Sequence, residues 1–317
     1  SPYRASRCIQ QGCKKYDYCG RRGTIRDMSE ETKQKIVLIT GCSSGIGLET
    51  VIECAKAGHR VFATMRNLNK KEKLEKRIKN ENLENIEIMK LDVSNADEIE
   101  LFIAKIMKIV KRIDVLFNNA GYMVMGSLED STINEIRSQI NTDLMGPIHL
   151  TKQALPHMQN GENPGLIINM SSVAGRIGFG FTTSYCTSKF GIEGFSESLR
   201  REMLTRNVNV TLIEAGIVHT DFFNNISRTK QSHSSNYKTD TQLMENVINL
   251  IKTKTNWTHP QDVAKKIVEE IIPNHGKKFR YVLGVDAKTL IDAICDYKDN
   301  IEDMDDEIFD IMSRYAR

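Results

Sequence analysis

The chain has 317 residues, of which 40% are hydrophobic and 27% are charged, values that are typical of a globular protein with a substantial core. Its formal net charge of +3 at pH 7 is close to zero, which argues against nucleic acid as a partner. No apolar run approaches the roughly 20 residues that a membrane-spanning helix needs, and we find no secretory signal, so we expect a cytoplasmic protein without a membrane span.

The first 33 residues show no hydrophobic periodicity. Residues 1–27 contain seven Lys or Arg against two Asp, but they lack the apolar helix face of an organelle transit segment. We expect residues 1–33 to be a disordered extension, with non-native sequence before Met28 as the alternative. The seven cysteines of the chain are odd in number and lack metal-ligand spacing, so we expect reduced thiols and no metal site.

Short apolar runs typical of buried parallel strands recur along the chain, and a helical pattern separates each from the next. The predicted strands lie at residues 36–39, 61–63, 86–91, 115–117, 166–168, 208–213 and 281–283. Strands alternating with helices predict right-handed crossovers and an α/β fold. We therefore expect a single domain at residues 34–284, with one doubly wound parallel sheet and helices on both of its faces.

Two stretches depart from this alternation. Residues 221–258 are rich in Ser, Thr and Asn, with one helical pattern near Leu243, Val247 and Ile251. An insertion of this length predicts a substrate lid or a disordered loop. Residues 285–317 combine many acidic residues with interleaved apolar ones, which predicts a helical tail on the surface.

A glycine-rich turn, Thr40-Gly41-Cys42-Ser43-Ser44-Gly45-Ile46-Gly47, follows the first strand directly and opens the first helix. Glycines in such a turn let the backbone approach a pyrophosphate, and the helix N-terminus offers free N–H groups and a positive dipole end. The position between strand and helix therefore predicts a dinucleotide-binding site.

The G-x-x-x-G-x-G spacing of this turn resembles that of the short-chain dehydrogenase/reductase family. Further features match the family in order and spacing over about residues 33–284: Asp92-Val93, Asn118-Asn119-Ala120-Gly121, Asn141, and Ser172 with Tyr185-x-x-x-Lys189. The resemblance implies a Rossmann-like fold and an oxidoreductase that uses NAD or NADP to interconvert a carbonyl compound and an alcohol.

The candidate catalytic residues are Tyr185, Lys189, Ser172 and Asn141. Tyr185 and Lys189 are four residues apart, so on a helix they share one face. Free tyrosine has a pKa of about 10, and we expect the neighbouring ammonium group to lower it and so to ease proton transfer. The resemblance implies that Lys189 also binds the nicotinamide ribose, that Ser172 hydrogen-bonds the substrate oxygen, and that Asn141 holds a water connecting Lys189 to solvent.

The turn and the resemblance together predict which residues contact the cofactor. They are Gly41, Ser43, Ser44, Gly45, Ile46, Gly47, Arg66, Asp92, Val93, Asn119, Ala120, Gly121, Tyr185, Lys189, Ile217, Val218 and Thr220. The family usually has Pro-Gly where this chain has Ala215-Gly216. The missing proline puts the rigidity of the loop that follows in doubt.

The end of the second strand bears on cofactor choice. Enzymes of this fold that prefer NAD place an acidic residue there against the ribose 2′-hydroxyl, and Thr64 occupies that position. Arg66 can form a charge-assisted pair with a 2′-phosphate. The sequence therefore favours NADP(H) over NAD(H), with a solvated Arg66 and bound NAD as the alternative.

The motifs resemble the branch of the family that contains 17β-hydroxysteroid dehydrogenase type 1 and related retinol dehydrogenases. This implies a lipophilic, steroid-like or retinoid-like substrate. In many members of the family the helices that carry Asn141 and Tyr185 pack between subunits, so the resemblance also implies a homodimer. Ile192 and Phe195 either contribute to its interface or belong to the core of their own chain. A 3-oxoacyl reductase remains an alternative. A catalytically silent nucleotide-sensing protein is opposed by the intact Ser172, Tyr185 and Lys189. A sugar-nucleotide epimerase is opposed by the glycine spacing.

Overall fold

The computed structural model describes residues 34–159, 163–230, 236–253, 257–284 and 286–296. The predictions for residues 1–33 and for the tail beyond residue 296 therefore lie outside the described residues. Within them the strands are β1 (Ile36–Ile39), β2 (Arg60–Met65), β3 (Ile86–Lys90), β4 (Val115–Asn118), β5 (Val124–Met125), β6 (Gly165–Ser172), β7 (Val208–Ala215), β8 (Ser227–Arg228) and β9 (Arg280–Leu283).

Seven of these strands form one parallel sheet in the order β3-β2-β1-β4-β6-β7-β9. Each of the seven predicted strands is present, and β6 and β7 run further toward their carboxyl ends than the apolar runs indicated. The remaining pair, β5 and β8, forms a short parallel ladder outside the sheet. The prediction of a doubly wound parallel sheet is confirmed.

Helices connect the strands and cover both faces of the sheet. They are α1 (Gly45–Lys56), α2 (Glu72–Asn80), α3 (Ala96–Ile109), α4 (Ile133–Ile140), α5 (Gly146–Ala154), α6 (Thr183–Glu202), α7 (Lys238–Thr253), α8 (Pro260–Lys266) and α9 (Ala287–Asp296). One buried apolar core joins α1, α2 and α8 to the sheet, and a second joins α3, α5 and α6 to its other face. Ile192 and Phe195 lie on the inner side of α6, where Phe195 packs against the second core.

A wide turn of π-helix, Asn141–Met145, separates α4 from α5. The N–H of Gly146 donates to the carbonyl of Asn141, five residues earlier. Pro147 has no N–H to donate to the carbonyl of Asp143, which weakens the regular helical pattern at this place. Gly146 lets the turn approach the end of β3, because a Cβ there would lie 2.6 Å from the carbonyl oxygen of Val93. Turns of this kind occur often at functional sites.

The two stretches that interrupt the strand–helix alternation both contain regular elements. In the insertion, Ser227–Arg228 form β8 and Lys238–Thr253 form the 16-residue helix α7, which contains the predicted helical pattern. The tail begins as α9, whose apolar side is buried against the turn after β6. Within the described ranges no helix is long and apolar enough to cross a membrane.

Candidate active site

A cavity of about 430 Å³ opens at the carboxyl ends of the central strands. The strand order reverses between β1 and β4, and ligands of open α/β sheets bind beside such a reversal. All predicted cofactor-contacting residues except Gly47 line this cavity. Gly47 lies beneath the turn, where a Cβ would be 2.4 Å from the carbonyl oxygen of Gly41.

The glycine-rich turn is fixed to the end of β4 by hydrogen bonds. The backbone N–H groups of Asn119 and Ala120 both donate to the Thr40 hydroxyl at 3.0 Å. The Asn119 side-chain amide donates to the carbonyl of Thr40 at 2.8 Å. Gly41 and Gly45 have φ values of +72° and +61°, a region that favours glycine.

This turn fits a dinucleotide pyrophosphate. The Ser44 side chain makes no capping hydrogen bond at the start of α1, and no acidic residue lies in the first helical turn. The first N–H groups of a helix have no acceptor within the helix and lie at the positive end of its dipole. In α1 these groups lie beside the cavity. A Cβ at Gly41 would lie 2.8 Å from Ala120, so the turn has no room for a side chain there.

Tyr185 and Lys189 lie in the first turns of α6, and both side chains are buried. The Lys189 ammonium nitrogen is 5.5 Å from the centre of the Tyr185 ring and donates a hydrogen bond to the carbonyl of Met170 at 3.2 Å. Ser172, at the end of β6, lies within hydrogen-bonding reach of the Tyr185 hydroxyl. The structure thus brings together three of the four predicted catalytic residues.

The fourth, Asn141, is exposed and is not among the residues that line the cavity. The residue of the π-turn that meets Lys189 is Asp143, whose Oδ2 atom is 3.2 Å from the ammonium nitrogen. Asp143 is buried, and its Oδ1 atom accepts the N–H of Tyr122 at 3.2 Å. The sequence analysis missed Asp143. Its only signal was its position two residues after the matched asparagine.

The electrostatics of this cluster differ from the sequence expectation. Burial raises the pKa of Tyr185 above its ordinary value, and the opposing effect of the Lys189 ammonium does not outweigh it. Burial opposes the charged form of Lys189, yet the Asp143 carboxylate and Tyr185 raise its pKa. Burial also raises the pKa of Asp143, against the lowering effect of Lys189. The prediction of a lowered tyrosine pKa omitted burial, which favours the neutral phenol.

The loop after β7 is held by a residue that sequence reasoning also missed. Both carboxylate oxygens of the buried Asp286 lie 3.0 Å from the Ile217 N–H, and the Gly216 N–H donates to the carbonyl of Leu283 at 2.9 Å. A Cβ at Gly216 would lie 2.3 Å from Asp286, so the glycine permits the contact. The doubt raised by Ala215 is therefore resolved by an anchor that does not involve proline.

The end of β2 presents a basic surface to the cavity. Arg66 is exposed and lines the cavity together with Lys70. The sequence places Thr64 where NAD-preferring enzymes have an acidic residue against the ribose, but in the structure Thr64 does not line the cavity. Its side chain is buried and donates to the carbonyl of Ile39 at 3.2 Å.

The other end of the cavity is apolar. Its wall comes from the segments after β4 and β6, from the start of the insertion, from α7 and from α9, and its apolar side chains are Met123, Met125, Phe179, Phe222, Phe223, Met244, Val247, Ile248, Ile251 and Leu290. Phe222 packs against the Tyr185 ring with a centroid distance of 6.0 Å. The apolar space therefore ends at the candidate catalytic tyrosine. No group of His, Cys, Asp or Glu in the described residues is arranged to hold a metal ion.

Comparison with known proteins identifies relatives of the chain. The family model described as short chain dehydrogenase matches residues 35–231. A 3-ketodihydrosphingosine reductase of Bacteroides thetaiotaomicron is 31% identical over 250 residues, which cover 79% of this chain and 88% of the relative. Human retinol dehydrogenase 8 is 38% identical over 191 residues, which cover 59% of this chain and 60% of that protein.

Solved structures share the fold. The closed form of a serine dehydrogenase complexed with NADP+ is 29% identical, with a TM-score of 0.65 over 78% of this chain and 94% of that one. Other solved structures with this fold are complexes with NAD or with NADP.

Proposed function

The chain belongs to the short-chain dehydrogenase family, and we propose that it uses NADP(H) to interconvert a ketone or aldehyde and an alcohol on a lipophilic substrate. The observation that carries the proposal is the position of Tyr185. Its side chain lies where the glycine-rich, basic end of the cavity meets the apolar end. A cofactor in one end and a hydrophobic substrate in the other would meet beside its hydroxyl.

The side chains around Tyr185 fit proton transfer to a carbonyl oxygen. NADP(H), when bound, supplies or accepts the hydride. In reduction, Tyr185 donates its proton to the substrate oxygen, and the Ser172 hydroxyl donates a hydrogen bond to the same oxygen as negative charge develops there. The raised pKa of Tyr185 keeps the phenol protonated at neutral pH, as the acid in reduction must be. In oxidation, the phenolate takes the proton back from the alcohol.

Two cations support NADP(H) over NAD(H). Arg66 and Lys70 line the end of the cavity that follows β2, where this fold holds the adenosine ribose. Acidic residues among the described cavity walls are Asp92, at the end of β3, and Asp286, in the segment after β9. A 2′-phosphate beside Arg66 therefore gains a charge-assisted pair. The solvated reading of Arg66, with NAD bound, is the alternative to be tested.

The wall of the substrate end supports a lipophilic substrate. Ten of its side chains are aliphatic, aromatic or thioether groups, and an apolar ligand gains roughly 25 cal/mol for each Å² that they remove from water. Methionines adapt to irregular shapes, which suits a flexible or polycyclic hydrocarbon. Two relatives are named 3-ketodihydrosphingosine reductase and retinol dehydrogenase 8. Both names denote substrates with a large hydrocarbon part.

A carbonyl screen tests this function. Purified protein with NADPH is mixed with steroid ketones, retinaldehyde, a long-chain 3-oxo lipid, a 3-oxoacyl thioester and a short water-soluble ketone, and NADPH absorbance is followed. We expect reduction of at least one lipophilic compound, with a higher kcat/KM than for the short ketone. Tyr185→Phe is the matched control for turnover. NADPH binding without turnover of any of the compounds would instead support the nucleotide-sensing alternative.

We also propose a homodimer. Ile192 is buried, and Phe195 is half-buried and packs against the core of its own chain, so we place the centre of the interface elsewhere. The neighbouring side chains Ile133, Met145 and Phe190, in α4, the π-turn and α6, are 59%, 37% and 47% exposed. Light scattering of the wild type and of a Phe190→Asp variant tests this: we expect a dimer and a monomer, and a monomeric wild type would contradict the proposal.

A further inference from the structure

We propose that Asp143 is a positioning residue that offsets the charge of Lys189, so that Tyr185 keeps its proton over the pH range in which it serves as the acid in carbonyl reduction. The proposal rests on the proposed function only for the role of Tyr185. The resemblance supplies a neutral asparagine for the place next to Lys189, and this chain has a carboxylate there.

Lys189 and Asp143 form a buried ion pair. The Lys189 and Asp143 side chains are 6% and 0% exposed, and their Nζ and Oδ2 atoms are 3.2 Å apart. The Oδ2 atom has no aligned hydrogen-bond partner among the described residues, so the contact with Lys189 is one of charge. Between buried groups such a contact is little screened by salt.

The fold is built closely around the Asp143 carboxylate. The Oδ1 atom accepts the backbone N–H of Tyr122, and a Cβ at Gly121 would lie 2.7 Å from Oδ2. Gln139, on α4, donates to the carbonyl of Tyr122 at 2.9 Å and accepts the N–H of Val124 at 2.7 Å, which holds the segment that carries the Tyr122 N–H. The glycine that ends the Asn-Asn-Ala-Gly segment thus gives Asp143 the room it occupies beside Lys189.

The charges of Lys189 and Asp143 act on Tyr185 in opposite directions. The titratable groups that face Tyr185 in the described structure are Lys189 and Cys186 on its own helix and Asp143 on the π-turn. Asp143 is faced in turn by Lys189, and burial raises the pKa of Tyr122, with Asp143 adding to that effect. A lone ammonium group would favour the phenolate of Tyr185, whereas the carboxylate cancels that field. Removal of the carboxylate should therefore release the Tyr185 proton at lower pH.

A titration without substrate or cofactor tests this directly. The ultraviolet absorbance of phenolate is followed against pH in the wild type and in Tyr185→Phe, and the difference between them isolates Tyr185. The same difference is measured in Asp143→Asn, which keeps the size of the side chain and an acceptor for the Tyr122 N–H. We expect the Asp143→Asn background to shift the Tyr185 transition by about one pH unit downward. Glu129→Gln, at an exposed position, controls for the change in net charge.

A transition that stays in place or moves upward would overturn the proposal, because Asp143 would then be neutral or purely structural. Gly121→Ala gives a second, steric test. The new methyl group displaces the carboxylate without removing it, and we expect a smaller shift in the same direction. Thermal unfolding of each variant shows whether the fold is retained.

The pH–rate profile of alcohol oxidation separates this proposal from the proposed function. With the alcohol product of whichever compound the carbonyl screen identifies, the acidic limb should move down by about one pH unit in Asp143→Asn. A uniform loss of kcat at every pH would indicate a structural role and contradict the proposal. If Tyr185→Phe retains turnover, the proposed function fails instead, whatever Asp143→Asn does.

Discussion

The two ends of the cavity are built in different ways. The nucleotide end, which comprises the turn of residues 40–47 and the ends of β2, β3 and β4, is held mainly by hydrogen bonds between backbone and side chain and by glycines with no space beside them. The apolar end, which comprises the residues around Phe222, α7 and α9, is held mainly by packing of apolar side chains. Individual hydrogen bonds fix the residues of the nucleotide end, whereas the volumes of the packed side chains fix those of the apolar end.

This difference has consequences for specificity. An end made of backbone donors and a helix dipole recognises one chemical group, the phosphate, and tolerates no added side chain. An end made of methionine, isoleucine and phenylalanine recognises surface area, and discriminates between hydrocarbons by only about 1 to 3 kcal/mol per group. We therefore expect substitutions at the junction and the nucleotide end to have large effects on rate and cofactor affinity, and substitutions at the apolar end to have moderate effects on KM.

The largest effect is expected at the junction itself. Tyr185→Phe removes only the exchangeable proton, so kcat should fall by about a thousandfold while the Kd for NADPH stays within a factor of about two. Steady-state kinetics measure kcat, and a fluorescence titration with NADPH measures the Kd. A variant that kept a substantial fraction of the wild-type rate would show that another group transfers the proton.

The next effect concerns the nucleotide end. Arg66→Asp replaces attraction of a 2′-phosphate by repulsion, and a charge-assisted pair contributes on the order of 1.5 to 3 kcal/mol. Because 1.4 kcal/mol is tenfold in binding, we expect the Kd for NADPH to rise about a hundredfold or more, with little change for NADH. Lys76→Asp, an exposed position on α2, carries the same charge change as a control. Wild-type preference for NADH would show that Arg66 is only a surface residue.

A matched pair on one helix tests the apolar end. Ile248 is 4% exposed on the inner side of α7, and Leu250 is 43% exposed on its outer side. Truncating a buried isoleucine to alanine costs about 2 to 5 kcal/mol of packing free energy. If about 1.4 kcal/mol of this is lost from contacts with the substrate, KM rises about tenfold. We expect that rise for Ile248→Ala with an unchanged Kd for NADPH, and almost none for Leu250→Ala. Equal effects of the two variants would show that α7 does not contact the substrate.

The nucleotide end is also the part that the sequence predicts well. Its turn, its first strand and its first helix lie within 21 residues of one another, so local spacing was enough to indicate the geometry. Thr64 is the exception. Its place at the end of β2 is as predicted, but whether its side chain faces β1 or the cavity depends on the strand's neighbours.

Asp143 and Asp286 were missed for different reasons. Asp143 lies in a π-turn, which shifts the helical phase, so the residue that reaches Lys189 does not follow from spacing along a regular helix. Asp286 contacts Ile217 across 69 positions of sequence. That contact depends on β9 pairing with β7, and neither apolar runs nor motifs specify the order of strands in a sheet.

The smallest effect is expected for an exposed ion pair between α2 and the start of the insertion. Lys73 on α2 and Asp221 at the start of the insertion are 2.7 Å apart, with side chains 68% and 40% exposed. Exposed pairs contribute about 0.2 to 1 kcal/mol, so a double-mutant cycle with Lys73→Ala and Asp221→Ala should give a coupling no larger than that in the free energy of unfolding. The Lys71–Glu75 pair, with both partners on the α2 side and 47% and 49% exposed, gives the reference value. The same cycle measured on the Kd for NADPH should show no more coupling than the reference pair does. A clearly larger value would mean that cofactor binding at one end is felt at the other through this pair, and the two ends would then not be independent.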